Sequence, residues 1–185
     1  LDKKNKIYLL DEENFNFPTL DMMKDDLVAV GGDFHPQRLL NAYENGIFPW
    51  YIDEYNYIHW FSPQKRMIIK PEEMKVSKSL KKSVLNKGFV IKSNENFEAV
   101  MRACSQIKRK HEDSTWINED FVQAYTNLHH LDIAFSIECY LDEELVGGLY
   151  GLLIGNIFCG ESMFTKVTDA SKVALYHLCQ QATQN

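Results

Sequence analysis

The stretch from Ile133 to Phe164 constrains the fold more than any other part of the chain. It divides into three apolar segments, Ile133–Tyr140, Leu145–Leu153 and Ile157–Phe164. Between them lie Asp142-Glu143-Glu144 and Gly155-Asn156. Both spacers hold residue types that tolerate the left-handed backbone a tight hairpin needs, so the segments predict an antiparallel meander. A meander needs a cover, and the flanking sequence offers helices. "NENFEAVMRACSQIK" carries Phe97, Val100, Met101 and Cys104 at helical spacing, and "NEDFVQAYTNLHHL" repeats this with Phe121, Tyr125 and Leu128. "DASKVALYHLCQQ" predicts a last helix with Thr168 and Asp169 as candidate caps. Upstream, "RMIIK" and "FVIKS" read as short strands around a basic helix, "SKSLKKSVLNKG", which Gly88 ends. The result is an α+β arrangement. Strand, helix, helix, three strands, helix is the order of an N-acetyltransferase-like domain, which suggests acyl transfer to an amine by analogy alone.

The first third of the chain has different punctuation. Gly31-Gly32 ends the apolar run Leu27–Val30, Asp33 is a candidate cap, Pro36 opens a helix with Leu39, Leu40 and Tyr43 on one side, and Gly46 stops it. Next, "IFPWYIDEYNYIHWFSP" concentrates aromatic residues between prolines. So many rings form either a core wall at a domain seam or a stacking surface. Ser62-Pro63 marks the boundary, giving a small N-terminal domain over residues 1–63 and an N-acetyltransferase-like domain over 64–185.

With 185 residues, 45% of them hydrophobic and 25% charged, the chain has an ordinary globular composition. No apolar run reaches bilayer length, and "LDKKNKIYLL" lacks a signal peptide's apolar core, so a cytoplasmic, membrane-free protein is expected. Cys104, Cys139, Cys159 and Cys179 lie far apart in apolar segments, which reads as reduced core thiols. The six histidines show no ligand spacing, and neither metal nor cofactor is expected; His129-His130 closes a helix, where cations are favoured. Net charge is −6, but Lys65 to Lys92 holds nine basic residues and two acidic ones, leaving −13 elsewhere. Such a patch suits one stem of a folded RNA, or is merely a solvated helix face.

One residue in the meander does not fit its strand. Glu161 interrupts "IFCGESMF", and burying a carboxylate without a partner is costly. A backbone amide or a nearby cation would satisfy it.

Several segments together resemble the bacterial leucyl/phenylalanyl-tRNA–protein transferases. They are "LVAVGGDFHPQRLLNAYENGIFPW", "HWFSP", "SKSLKK", "STWI", "AYTNLHHLDIAFSIECY" and "ELVGGLYGLLIGNIFCGESMFTKVTDASK", in the family's order across most of residues 27–180. The resemblance implies an enzyme that moves Leu or Phe, with Met a candidate third donor, from aminoacyl-tRNA to proteins with N-terminal Arg or Lys. The product enters N-degron degradation. It implies that Trp50 and Trp116 lie near the terminal adenosine and that Glu161, with Ser162, positions adenosine or peptide. It further implies an aminoacyl pocket from Leu149, Tyr150, Phe158, Met163 and Phe164, and phosphate contacts from Lys78, Lys81, Lys82 and Lys87. A monomer is expected.

The family's proposed proton-handling pair, Asp-any-Gln, lies on a strand after the last helix. No residue before "CQQATQN" matches it, so no catalytic residue is assigned and the C-terminal part of the domain is expected to be missing. "SPQKR" and the insert "KRKHEDS" also depart from relatives. Two rivals remain. An acyl-CoA N-acetyltransferase predicts a glycine-rich turn before the last helix, where "SMFTKVTDASK" has none. A non-enzymatic module that binds RNA or basic N-termini would use the same side chains without chemistry.

Overall fold

The computed structural model describes residues 7–19, 25–107 and 115–184. They fall into two compact units, Leu1–Met67 with Trp116–Ala124, and Ile68–Thr115 with Tyr125–Asn185. The division at residue 63 assigned residues 116–124 to the second domain; they cluster with the first unit. The insert "KRKHEDS" lies outside the described residues.

The first unit is built on a four-stranded sheet. Its strands are β1 (Tyr8–Leu10), β2 (Leu27–Gly31), β3 (Phe48–Ile52) and β4 (Ile58–Phe61), in the order β1-β2-β4-β3. Only β1–β2 is parallel. Helix α1 (Pro36–Glu44) buries Leu39, Ala42 and Tyr43. Its cap is His35, whose Nδ1 accepts from the Gln37 amide at 3.2 Å. Asp33, the residue expected there, instead accepts from Arg38 Nε at 3.0 Å and the His35 amide at 2.9 Å. Arg38 is fully buried, so its guanidinium must be paired. It also donates to the carbonyls of Asn14 and Asp11, at 2.9 and 2.6 Å, which ties the N-terminal segment down. Gly32 is required here twice over: its φ is +69°, and a Cβ would lie 3.0 Å from the guanidinium.

The second unit carries the meander. Strands β5 (Val90–Ser93), β6 (Ala134–Leu141), β7 (Glu144–Ile154) and β8 (Ile157–Thr165) lie in sequence order, all antiparallel. Asp142 and Glu143, at φ +50° and +66°, make the left-handed turn that joins β6 to β7. Helix α3 (Phe97–Gln106) packs on one face of the sheet through Val100, which lies beside Gly148. The opposite face is covered by α5 (Ala170–Ala182), where Ile137, Cys139, Val146, Leu149, Ala170 and Ala174 form a core. Helix α4 (Glu119–His130) divides between the units, and in the second its Tyr125 ring meets Tyr150 edge-on, 6.1 Å between centroids. The observed order is the expected α+β one.

Helix α2 (Lys78–Asn86) starts where the basic pattern predicts, capped by Ser77 Oγ accepting from Leu80 N at 3.1 Å. The expected strand "RMIIK" does not form. Residues 66–70 are irregular and exposed, Met67 at 96%. A run of β-branched residues is a strand only where a neighbour offers a ladder and a surface to bury it.

Candidate functional site

Both sheets depart from regular pairing in the same way. In β3–β4, Pro49 pairs with Trp60 and Tyr51 with His59, so Trp50 is an extra residue without a Cα partner. In β7–β8, Gly151 pairs with Gly160 and Tyr150 with Ser162, which leaves Glu161 in the same position. A bulge adds one residue to one strand and redirects the side chains around it, and bulges are enriched beside functional sites. Two of the candidate residues are therefore set by backbone register. Among the described residues, the other two bulges hold Val28 and Val146, both buried in the core.

The bulge in the first unit brings Trp50 and Tyr51 to one face of the sheet. Both reach Phe61, Trp50 edge-on at 5.0 Å and Tyr51 at 6.1 Å. Trp50 remains 48% exposed, whereas Trp60 is fully buried, with Nε1 donating to the Gly31 carbonyl at 2.8 Å. Thus two tryptophans ten residues apart have opposite fates, one core and one surface. Arg66 stands over Phe48 at 4.8 Å and donates to the Gly46 carbonyl at 3.2 Å. Trp116 is half-buried and packs edge-on against Phe121 at 5.1 Å. Phe121 in turn meets Phe34 at 4.8 Å.

In the second unit the bulge divides the five pocket candidates. Paired residues project from the same face of a sheet. Leu149 pairs with Met163, and Leu149 and Phe158 pack in the core under α5. Tyr150 pairs with Ser162, and Phe164 with Gly148, on the face that α3 covers. Tyr150 and Phe164 are almost wholly buried there, Tyr150 against Phe97. The five therefore do not line one surface. Leu149, Phe158 and Met163 share one face, where Met163 is 43% exposed. Leu175 and Leu178 of α5, which the sequence reading missed, pack against the same cluster. Their spacing of three on an apolar helix face was the available signal.

Glu161 is half-buried. The fully buried carboxylate is another residue, Glu138 on β6, at 0% exposure. Its Oε1 accepts from Ser136 Oγ at 2.5 Å and from the Asn96 amide, at the start of α3, at 3.3 Å. The bond to the Asn96 amide holds the start of α3 to β6.

The four candidate lysines also separate. Lys78, Lys81 and Lys82 are exposed. Lys87 is engaged: its Nζ donates to the Thr168 carbonyl at 2.8 Å and lies 3.7 Å from Asp169. Asp169 further accepts from Ser83 Oγ at 2.8 Å and from Lys172 at 3.3 Å. The Ser83 bond, then that of Lys172, holds the Asp169 carboxyl below its usual range. Lys87 thus belongs to a clasp between α2 and the start of α5. A phosphate surface on α2 rests on the other three lysines, which lie one turn or less apart.

The chain is thus an α+β protein with a half-exposed tryptophan on a bulge in its first unit and exposed lysines on α2 in its second. The model of the leucyl/phenylalanyl-tRNA protein transferase family matches residues 68–185, and that of the family's N-terminal domain matches residues 32–64. Three relatives carry the name leucyl/phenylalanyl-tRNA–protein transferase. One from Sulfurimonas denitrificans is 51% identical over 83% of this chain and 66% of its own length. Another, from Hydrogenovibrio crunogenus, is 49% identical over 85% and 61%. The third, from Syntrophobacter fumaroxidans, is 45% identical over 96% and 76%. This chain belongs to the leucyl/phenylalanyl-tRNA–protein transferase family. It spans just under two thirds of the first two relatives' lengths.

Proposed function

We propose that the chain is an aminoacyltransferase that moves Leu or Phe from aminoacyl-tRNA to the α-amino group of proteins beginning with Arg or Lys. Entry of the product into N-degron degradation, cytoplasmic location and monomeric action belong to the same reading. Family membership supports it, and the geometric observation that carries it is the exposed ring of Trp50, held on a bulge by Phe61. A flat ring left in solvent at a fixed angle suits an unstacked adenine, at about 1–3 kcal/mol per base. Trp116 is the second stacking candidate. Met163, paired with Leu149 and 43% exposed, offers the apolar surface for the aminoacyl side chain, and unbranched Met adapts to Leu or Phe. Lys78, Lys81 and Lys82 meet acceptor-stem phosphates, a contact without base readout and with strong salt dependence.

The reaction is aminolysis of an ester. The acceptor's neutral α-amine attacks the aminoacyl carbonyl, the tetrahedral intermediate expels the ribose hydroxyl, and one proton passes from the nitrogen to that oxygen. An α-amino group titrates at about 7.7–8.0, so part of it is already neutral at cellular pH. Glu161 and Ser162 then position the substrate, by bonds to the adenosine or to the acceptor's cationic end.

The test is transfer of radiolabelled Phe from Phe-tRNA to a protein with N-terminal Arg. Label appearing on that protein, and not on one beginning with Met, is the expected result. Acetyl-CoA consumption without transfer from Phe-tRNA would overturn the proposal.

A further inference from the structure

Beside Trp50 the first unit holds a second aromatic ring whose placement the adenosine site does not require. Tyr51 is 37% exposed, and one side of its ring is stacked on His59, with centroids 4.5 Å apart and planes 17° from parallel. His59 is itself fixed. Its Nε2 shares a hydrogen bond of 2.8 Å with Asp53 Oδ2, while Asp53 Oδ1 accepts the amides of Tyr55 and Tyr57, each at 2.9 Å. The His59 bond, followed by the Tyr57 amide, holds the Asp53 carboxyl below its ordinary range, so it is ionised at neutral pH. The chain of support runs from the β3–β4 turn through Asp53 and His59 to Tyr51. A surface tyrosine, 37% exposed, is thereby held flat against His59.

We propose that Tyr51 is a second stacking platform, for the nucleotide that precedes the terminal adenosine in the donor's single-stranded end. The inference rests on the reading of Trp50 as the adenine platform. Tyr51 follows Trp50 in the chain, and the bulge turns both rings to the face where they meet Phe61. Successive unpaired bases stack on successive aromatic rings with little regard to base identity. Backing by an imidazole lowers the cost of ordering the tyrosine when a base arrives. Arg66, anchored over Phe48, supplies a cation beside Phe48, whose ring lies 6.2 Å from that of Trp50, for the linking phosphate. His59 and Asp53 are positioning residues and do not touch the ligand.

The intact protein is assayed with two donors that carry the same phenylalanyl ester, one on adenosine alone and one on the trinucleotide cytidylyl-cytidylyl-adenosine. In Tyr51→Ala, KM for the trinucleotide rises about tenfold, while KM for the adenosine ester and kcat for both stay unchanged. Tyr51→Phe retains the ring and restores the trinucleotide KM. His59→Ala raises that KM to a smaller extent and leaves kcat alone. An equal change on both donors, or no change on either, overturns the platform. If the unaltered protein uses neither donor, the transfer reading fails. The platform is then decided by tryptophan-fluorescence titration with the uncharged trinucleotide and with adenosine. Tenfold weaker trinucleotide binding in Tyr51→Ala supports it, and unchanged binding refutes it.

Discussion

The two sheets use the same device under different loads. Each places an extra residue in one strand of an edge hairpin, Trp50 in β3 and Glu161 in β8. In the first sheet the redirected side chains go to solvent, where they form an aromatic face above a core that contains Trp60 and Ile58. In the second the bulge lies between two sets of core residues. It keeps Phe158 and Met163 on one face although an even number of residues, four, lies between them, and it leaves Tyr150 and Phe164 on the other. Gly151 shows how tight the second bulge is, since a Cβ there would lie 2.2 Å from the Cys159 carbonyl oxygen. A bulge at a surface can be tuned for binding at little cost in stability. One inside a core sets binding and packing together.

Deleting the extra residue should break the comparison most clearly. Without Glu161, Gly160 and Ser162 become neighbours opposite Gly151 and Tyr150, so the pairs survive but the bulge that bends β8 is lost. Straightening the strand forces Phe158 and its neighbours to repack under α5, a loss of about 1–3 kcal/mol. Chemical denaturation should show it as a lowered midpoint of the second unit's transition. Deletion of Trp50 disturbs only a short strand with a single buried residue, Pro49, and should cost about 1–2 kcal/mol. Equal losses in the two deletions would show that the bulges are not differently loaded.

The bulges also separate what could be read in the sequence from what could not. The meander was legible because period-two alternation and left-handed turn residues are local signals, and its three strands lie where the apolar segments predict. An extra residue in a strand changes neither composition nor turn chemistry. Glu161 betrayed itself only as a polar residue within an apolar run, and Trp50 gave no signal beyond its neighbours' aromatic character. Alternation alone divides Leu149 from Tyr150 and Met163 from Phe164, but the place of Phe158 beside Met163 follows from the bulge and stayed hidden. Charge counting found α2 but could not show that Lys87 is engaged by Thr168 and Asp169, since that needs the start of α5 in place. Arg66 to Lys70 misled for the opposite reason, as local propensity was right for a strand and no neighbouring strand was there.

Substitutions that preserve register should separate binding from packing. Glu161→Gln keeps the bulge and its shape while removing the charge. It should weaken substrate binding by about 1.5–3 kcal/mol, the range for a hydrogen bond to a charged group, and leave the pH–rate profile nearly intact. Steady-state kinetics against pH checks this, and a flattened profile would make Glu161 a proton carrier instead of a positioning group. Trp50→Ala should raise KM for aminoacyl-tRNA by about 1–3 kcal/mol with little change in the unfolding midpoint. A large stability loss there would show that the aromatic face belongs to the core, and the contrast with the second sheet would fall.

The smallest expected effect concerns the clasp that fixes the basic helix. Ser83→Ala removes the bond from a buried hydroxyl to Asp169 and should cost about 1 kcal/mol at neutral pH. Its sharper signature lies in acid. The folded Asp169 carboxyl titrates below its ordinary value of 3.8. The stabilisation that goes with this is therefore complete above that value and is lost as pH falls through the lower folded one. Without Ser83, Lys172 and Lys87 still hold the carboxylate, but the depression is smaller and less stability remains to be lost. Urea denaturation of the two proteins at pH 7 and at pH 3 should show their difference narrowing in acid. A difference that widens instead would mean that Ser83 stabilises the protonated carboxyl, and that the clasp is held by hydrogen bonding and not by charge.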